Sequence, residues 1–438
     1  MRTTMKTTSR RHVTAILVSA GLLAACSQST PAAGSGGSSG SSSGGTATTE
    51  TSVDPAKAAA VTDIVRKMMD EYKLKAVIYR VTIDGKNIVT AALGESMTGV
   101  PASTDMHFRN GSVAESYIAN LLLQLGEEGK ISLDDKLSTW LPDLPHADEV
   151  SLRNLISMTA GYHDFVPDAG FLKVNDTQPY KTWEPEEILT YAHLDLPLLY
   201  TPGTNWNYAH TNFVILGMAL DKINGRPLNE VLQDKVLGPL GLTNTTDPGG
   251  PVITEPVLHA WDSEQRAVYN IPSDLPFYVD STYWDWSWSL AKGAIQMTNI
   301  FDMDKTAIAV GNGALLSPES FKTMTNTKMR DQGGPIPGCE KECVRGSLPY
   351  TYGMGVVIKG NWLLQDPLAN GTSALEAYLP SQRIAVSLVV TFEEDAFGKK
   401  SGSYDNEAVP MFEQIGKLLA PNDAPPPSPG DQKPPPGG

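Results

Sequence analysis

The hydrophobic positions near residue 60 follow the period of an α-helix. Asp54 and Pro55 form a helix N-terminus, because aspartate caps free backbone amides and proline fits the first helical position. The apolar residues that follow recur three and four positions apart, which predicts an amphipathic helix with one buried face. They are Val61, Ile64, Val65, Met68, Met69 and Tyr72.

The pattern then changes from helical spacing to alternation. The stretch VIYRVTIDGKNIVTAALG alternates on both sides of Asp84-Gly85, and this dipeptide between two such runs predicts a β-hairpin. Further strands are predicted near residues 352–358 and 384–392. A helix, an antiparallel hairpin, a long helical region and late strands indicate the α+β class. We expect the first and last strands to share one sheet.

The N-terminal segment differs from this region. Residues 1–25 contain basic side chains at positions 2, 6, 10 and 11, no acidic one, and the apolar run TAILVSAGLLAA. This is the pattern of a secretory signal peptide. The segment ends in Leu23-Ala24-Ala25-Cys26, which resembles the bacterial lipobox, where the cysteine is acylated and becomes the mature N-terminus. An ordinary signal peptide beside an unrelated cysteine is the alternative.

Two low-complexity segments bound the predicted domain. Residues 26–52 are rich in Gly, Ser and Thr and cannot bury enough apolar surface to fold, so they predict a flexible tether. Residues 420–438 are rich in proline and predict an extended tail. Residues 53–419 between them are predicted to form one large domain.

The charge of the chain limits its partners. The formal net charge is −15, and removal of the basic signal segment makes the remainder more acidic still. This argues against nucleic-acid binding and against electrostatic docking on anionic lipid. We therefore expect acyl chains on Cys26 to attach the protein to the outer face of the cell membrane.

Cys339 and Cys343 lie four positions apart in PIPGCEKECVRG. In an exported chain this spacing favours a local disulfide, because the two Cα atoms can come within bridging range. A metal site is the alternative, but no histidine lies near, and the seven histidines show no metal-ligand spacing. No metal or cofactor is predicted.

Ser112 opens the long apolar run that begins in FRNGSVAESYIANLLLQLG. Glu115 follows three residues later, and Ser-x-x-Glu is the capping box, in which each side chain bonds the other residue's backbone amide. A helix cap is therefore the favoured interpretation of Ser112. A catalytic nucleophile is the alternative.

Longer phrases indicate a family. GKISLDDKLSTWLPDLP, VSLRNLISMTAGYHDF, TPGTNWNYAHTNFVILG and GALLSPESF occur in the order typical of serine β-lactamases and penicillin-binding proteins. From about Ala76 to Val390 the chain resembles this family, in particular its class C β-lactamase, D-alanyl-D-alanine carboxypeptidase and esterase branch. The resemblance implies an antiparallel sheet flanked by helices, with an all-helical subdomain.

The resemblance also implies a site. The family has a serine with a lysine three residues later, a tyrosine with an asparagine two residues later, and a Lys/His-x-Gly strip. Ser112 and Tyr208 match the serine and the tyrosine, whereas Glu115 replaces the lysine and His210 replaces the asparagine. A carboxylate beside a forming alkoxide adds like-charge repulsion, which opposes the usual mechanism.

The third motif departs as well. Counting back from GTSALEAYLP places the strip at Gln365-Asp366-Pro367, where the cation is lost and proline replaces glycine. Another register would use Asn370-Gly371, which also supplies no lysine or histidine. Met158 stands where many members carry histidine. We therefore expect a degenerate site, with Gln365 and Asp366 as candidate binding residues.

One catalytic alternative stays open. Ser112, His210 and Glu115 are the components of a serine–histidine–carboxylate triad, in which the imidazole acts as the base and the carboxylate orients it.

The run STYWDWSWSL places Trp284, Trp286 and Trp288 at alternating positions. The simpler interpretation is one face of a strand or extended segment packed on the domain. The functional interpretation is an aromatic platform at the mouth of the cleft, since the resemblance places the segment before Ala291-Lys292-Gly293 beside the site.

The sequence thus predicts a lipid-anchored envelope protein with a degenerate site, which binds envelope peptide or glycan of the peptidoglycan type. The alternative is an active serine hydrolase, an esterase or D-amino-acid peptidase, that uses Ser112 with Tyr208 or His210. A purely structural partner protein is the third possibility.

Overall fold

The computed structural model of the protein describes residues 51–428. The predicted signal peptide, Cys26, most of the predicted tether and the end of the tail lie outside this range. The proposals made for those segments therefore stay predictions.

The first helix begins as its sequence indicates. Helix α1 spans Pro55–Tyr72, and the side chain of Asp54 accepts a hydrogen bond from the backbone amide of Lys57. Val61, Val65 and Met68 are buried, so the predicted apolar face is the packed one. The predicted N-cap and amphipathic helix are confirmed.

The remaining helices and strands follow in chain order. The helices are α2 (Val113–Glu127), α3 (Leu152–Ile156), α4 (Ala169–Thr177), α5 (Pro185–Leu189), α6 (His210–Asn224), α7 (Leu228–Leu232), α8 (Gln265–Val268), α9 (Ile300–Asn312), α10 (Pro318–Met324) and α11 (Ala408–Leu419). The strands are β1 (Leu74–Ile83), β2 (Lys86–Met97), β3 (Val100–Pro101), β4 (Phe108–Arg109), β5 (Trp261–Asp262), β6 (Val279–Asp280), β7 (Met297–Thr298), β8 (Thr351–Tyr352), β9 (Val357–Lys359), β10 (Trp362–Gln365), β11 (Leu368–Ala369), β12 (Thr372–Leu379) and β13 (Ile384–Phe392).

The main sheet joins the two ends of the domain. Its strand order is β3-β2-β1-β13-β12-β10-β9-β8, with β11 paired to β12. Strands β1 and β2 form the predicted hairpin, and both turn residues, Asp84 and Gly85, have the positive φ that a tight hairpin turn requires. Strand β1 pairs antiparallel with β13. The α+β class and the shared sheet are therefore confirmed.

Helices cover both faces of this sheet. Tyr79 on β1 donates a hydrogen bond to Thr62 of α1, whereas the next residue, Arg80, bonds Asp304 of α9. Successive side chains of a strand point to opposite faces, so α1 and α9 lie on opposite sides. Helix α11 contacts α1 and completes the first layer.

The proline-rich segment differs from its prediction between residues 420 and 428, because it packs on the domain. The carbonyl of Asp423 accepts a hydrogen bond of 2.9 Å from the indole of Trp362. Pro425 lies against Gly416 and Pro426 against Gly360, so closely that a Cβ at either glycine would overlap the proline ring. We call residues 420–428 the C-terminal strap. The predicted domain end at Leu419 is too early.

Cys339 and Cys343 form a disulfide in the structure, with a Cα–Cα distance of 5.3 Å. Both cysteines are fully buried, and Cys343 pairs through its backbone with Asn207, close in sequence to Tyr208.

Within residues 51–428, no helix is long and apolar enough to span a membrane. The same range contains no group of three or more His, Cys, Asp and Glu residues arranged to hold a metal ion.

Candidate functional site

Ser112 lies at a tight turn that leads into α2. Both the backbone and the side chain of Asn110 bond the backbone of Gln296, which fixes the turn against the segment before β7. Gly111 has φ +50°, a conformation that glycine adopts most easily. Ser112 follows at the N-cap position and is only 5% exposed.

The predicted capping box is wrong. The Ser112 side chain makes no capping hydrogen bond, and the Glu115 amide bonds the Ser112 carbonyl instead, at 2.9 Å. The carboxylate of Glu115 accepts its hydrogen bonds from side chains distant in sequence. Tertiary contacts have therefore replaced the local pairing that the motif favours.

Glu115 is the centre of a buried hydrogen-bonded cluster. Tyr208 donates to its Oε1 at 2.5 Å, Tyr352 donates to its Oε2 at 2.5 Å, and Gln365 donates to the same Oε2 at 3.2 Å. Gln365 also donates to the carbonyl of Gly355 at 2.8 Å. We call Glu115, Tyr208, Tyr352 and Gln365 the Glu115 cluster.

The electrostatics of this cluster disfavour Tyr208 as a base. Burial raises the pKa of Glu115, and the hydrogen bonds from Tyr208 and Tyr352 offset part of that rise. Burial, together with the negative charge of Glu115, raises the pKa of both tyrosines well above the ordinary value. Tyr208 therefore keeps its proton and donates a hydrogen bond to Glu115, so it is not available as a tyrosinate to activate Ser112.

The strip Gln365-Asp366-Pro367 lies beside the start of α2. Gln365 contacts Glu115, and Pro367 packs so closely on Gly111 that a Cβ there would overlap the proline Cβ. These contacts favour this register over Asn370-Gly371, where Gly371 instead packs on the backbone of Trp261. The strip therefore contacts the serine turn directly through Pro367.

The end of the strip is held by Asn406, and the strip contains a buried acidic side chain. The side-chain amide of Asn406, just before α11, donates to the carbonyl oxygens of Asp366 at 2.7 Å and Pro367 at 3.4 Å. Burial raises the pKa of the Asp366 carboxyl to about 7, and the nearby Lys359 opposes that rise. The end of the strip is therefore held by backbone contacts, and its carboxyl lies in poorly solvated surroundings.

His210 has a carboxylate partner different from the predicted one. Its Nδ1 lies 3.1 Å from Oδ2 of Asp164, and its backbone amide donates to Oδ1 of the same residue at 3.0 Å. The ring also packs edge-on against Tyr208, with 5.2 Å between centroids. A triad in which Glu115 orients His210 is therefore wrong, because Asp164 occupies that role. The fully buried Met158 lies nearby, with its sulfur against Ala209 and Asn212.

The three tryptophans are packed into the domain, each with at most 7% of its surface exposed. The segment is made of turns rather than a strand, because Asp285 accepts a hydrogen bond from the backbone of Ser287 and bends the chain. Trp286 packs beside Gly111, and Trp288 packs near His210. Trp286 and Trp288 thus pack against residues of the site, and all three tryptophans belong to the packed core, as the simpler interpretation expects. The burial of the three rings contradicts an aromatic platform at the mouth of the cleft.

Sequence reasoning missed Asp164, Tyr352 and Asn406. Asp164 lies in the phrase VSLRNLISMTAGYHDF, which served only as a scaffold marker, and its partner His210 is 46 positions away in the chain. Tyr352 and Asn406 are far from Ser112 in sequence, and no local pattern identifies them.

Comparison with known proteins places this geometry in context. The family model described as Beta-lactamase matches residues 61–407. The chain is 23% identical over 307 residues to the putative penicillin-binding protein PbpX of Bacillus subtilis (strain 168), which covers 70% of this chain and 67% of that protein. It is also 27% identical over 208 residues to the esterase EstB of Burkholderia gladioli, covering 44% of this chain and 53% of that one.

Solved structures share the fold. A D-stereospecific amidohydrolase from Streptomyces sp. aligns with a TM-score of 0.63 and 24% identity, covering 77% of this chain and 96% of that one. D-amino acid amidase from Ochrobactrum anthropi SV3, complexed with L-phenylalanine amide, aligns with a TM-score of 0.63 and 20% identity, covering 82% and 99%. At these identities the likeness shows the fold alone. The family model matches most of the sequence, and the chain therefore belongs to the Beta-lactamase family.

Proposed function

We propose that the protein is a lipid-anchored envelope protein that uses the β-lactamase fold for binding and does not form an acyl-enzyme. The observation that carries this proposal is the Glu115 cluster. The position next to the serine holds a carboxylate that three side chains saturate with hydrogen bonds, where acyl transfer needs a proton acceptor.

Two independent features of the site oppose acylation of Ser112. First, Tyr208 is itself the donor in its hydrogen bond to Glu115, so it is not a base for Ser112, and three side-chain donors already bond the Glu115 carboxylate. Second, proline at position 367 replaces the glycine of the family strip, and its ring packs closely on Gly111 beside Ser112. Loss of a positioned base alone lowers a rate by about 10²–10⁴.

The ligand class follows from the family and the predicted location. Relatives are named as a penicillin-binding protein and as amidases of D-amino acids, and those names apply to those proteins. For this chain we infer a ligand from the envelope, a peptide containing D-amino acids or a glycan. The lipobox at Cys26 and the predicted tether support attachment at the membrane, where such ligands occur.

A hydrolase is the second candidate, and one observation favours it. The buried pair of His210 and Asp164 has the geometry of a histidine whose Nδ1 is oriented by a carboxylate. If His210 reaches Ser112 during the reaction, the carboxylate of such a triad is Asp164.

Intact-mass analysis separates the two functions. The protein is incubated with a penicillin and, separately, with a fluorophosphonate, and Ser112→Ala serves as the control for site-specific adducts. We expect no adduct with either reagent. A penicillin adduct on Ser112 contradicts the binding proposal, and a fluorophosphonate adduct that is lost in both His210→Ala and Asp164→Asn supports the hydrolase instead.

Ligand binding and membrane attachment need their own measurements. Isothermal titration with a peptide containing D-amino acids, its all-L counterpart and a glycan strand tests the ligand class, and no binding to any of them removes it. Cys26→Ala should release the protein from membranes. Unchanged lipid-dependent partitioning of that variant contradicts the anchor.

A further inference from the structure

A buried arginine near the candidate site lacks a carboxylate partner. Arg109, on β4, is 6% exposed and its Nη2 donates to the carbonyl oxygens of Pro251 at 2.7 Å and Gly250 at 3.2 Å. Within residues 51–428, its Nε has no hydrogen-bond partner. Burial lowers its pKa to about 10, which shows that its surroundings compensate the charge poorly.

Two carboxylates, Asp285 and Asp247, act on the charge of Arg109, but each forms its hydrogen bonds with other residues. Asp285 accepts from the hydroxyl of Thr182 and the backbone of Ser287. Asp247 accepts from the side chain of Asn229 and the backbone of Gly249. Both act on Arg109 only through space. A buried cation in this situation favours a further anion, because an uncompensated buried charge is costly.

A small polar cavity lies beside Arg109. Half of its lining residues are polar, namely Arg109, Ser281, Thr282, Asn370 and Thr372, and the other half are apolar, among them Trp286. The free space is that of about one water-sized species. Asn370 and Thr372 are each 8% exposed, and their side chains make no hydrogen bond to another group in the described chain. Three potential donors therefore border a space that holds one small particle.

We propose that this cavity binds a single halide ion, such as chloride, through the Arg109 guanidinium, the Asn370 amide and the Thr372 hydroxyl. A polyatomic anion such as sulfate is too large for the space, and a water molecule leaves the arginine charge uncompensated. A cation is repelled. Because Trp286 borders both this cavity and Gly111, the ion also supports the wall behind Ser112.

Thermal unfolding at constant ionic strength tests the proposal. We expect chloride or bromide, compared with gluconate, to raise the melting temperature saturably, by about 2–4 °C near saturation. Thr372→Val removes one donor with little change of shape and should weaken the apparent halide affinity by about tenfold.

Asn370→Asp gives the sharper result. The new carboxylate beside Arg109 replaces the ion, so the melting temperature in gluconate should rise and the halide shift should disappear. Retention of the full shift in this variant contradicts the proposal. In crystals soaked with bromide we expect an anomalous peak in the cavity. A cavity that holds only water gives neither a peak nor a halide-specific shift, which overturns the inference.

Discussion

Two buried glutamates of this fold, Glu115 on α2 and Glu376 on β12, have opposite surroundings. Glu115 is fully buried and accepts hydrogen bonds from two tyrosines and a glutamine. Glu376 is 2% exposed, and no group of the described chain hydrogen-bonds its carboxyl. The negative charge of Asp304 acts on this carboxyl and raises its pKa.

The difference separates two effects of burial. Burial is the main cause of the raised pKa in both glutamates, but the tyrosines stabilise the anion of Glu115, whereas Asp304 destabilises that of Glu376. The pKa of Glu376 reaches about 8, so this residue is a neutral core group at neutral pH. Glu115 therefore holds three side chains in place through its hydrogen bonds, whereas the burial of Glu376 is only unfavourable to its charged form.

The largest effect is expected from removing the organising carboxylate. Glu115→Ala leaves the hydroxyls of Tyr208 and Tyr352 without an acceptor and removes one of the two acceptors of the Gln365 amide, so the free energy of unfolding should fall by about 3–5 kcal/mol. Urea denaturation measures it. Glu128→Ala, at the exposed end of the same helix, is the control and should cost under about 1 kcal/mol. Equal losses in the two variants would show that the cluster contributes nothing special.

Glu376→Gln should instead stabilise the protein. The folded pKa of about 8 lies above the value of about 4.3 in an unfolded chain, so the folded state holds more protons between these values. Unfolding free energy therefore falls as pH rises from about 4 to about 8. The neutral glutamine removes this slope and gains on the order of 3 kcal/mol at pH 7. Denaturant titrations across this pH range test it, and an unchanged slope refutes the assignment.

Removal of a single tyrosine hydroxyl measures how much each donor to Glu115 contributes to the free energy of unfolding. Tyr208→Phe and Tyr352→Phe each delete one hydrogen bond to the Glu115 carboxylate and should cost about 1.5–3 kcal/mol. Tyr79→Phe deletes a neutral bond to Thr62 and should cost about 1 kcal/mol. If the site tyrosines cost no more than this control, their partner is not an anion.

Gln365→Leu should have the smallest effect, about 1 kcal/mol, because its bond to Glu115 is the longest of the three, both tyrosines remain, and the bond to the Gly355 carbonyl that is also lost is a neutral one. Chemical denaturation at pH 7 is sufficient to measure it. A loss as large as that of Glu115→Ala would mean that the strip, rather than the carboxylate, organises the cluster.

The parts of the fold that sequence could predict depend on local or periodic signals. The cap at Asp54, the turn at Asp84-Gly85 and the late strands are each encoded within a few residues. The capping box at Ser112 has an equally clear local signal, yet its prediction failed. The donors to Glu115 lie 93, 237 and 250 positions away, and their contacts outweigh the local pairing.

The tryptophan run failed for a related reason. Alternation predicts a strand, but the alternate positions here are occupied by Asp285 and Ser287, which bond each other and form a turn. The strip Gln365-Asp366-Pro367 was located from its spacing to a scaffold phrase, since such spacing survives when the chemical residues change. The close contact of Pro367 with Gly111 could not be predicted, because the sequence contains no information on how closely two loops approach each other.

The C-terminal strap sets a practical limit on how the domain can be shortened. A chain cut at Leu419 loses the carbonyl of Asp423, so the buried indole of Trp362 at the start of β10 keeps its proton without an acceptor. It also loses the prolines that cover Gly360 and Gly416. A truncation or a fusion junction should therefore be placed after residue 428, so that both contacts are preserved.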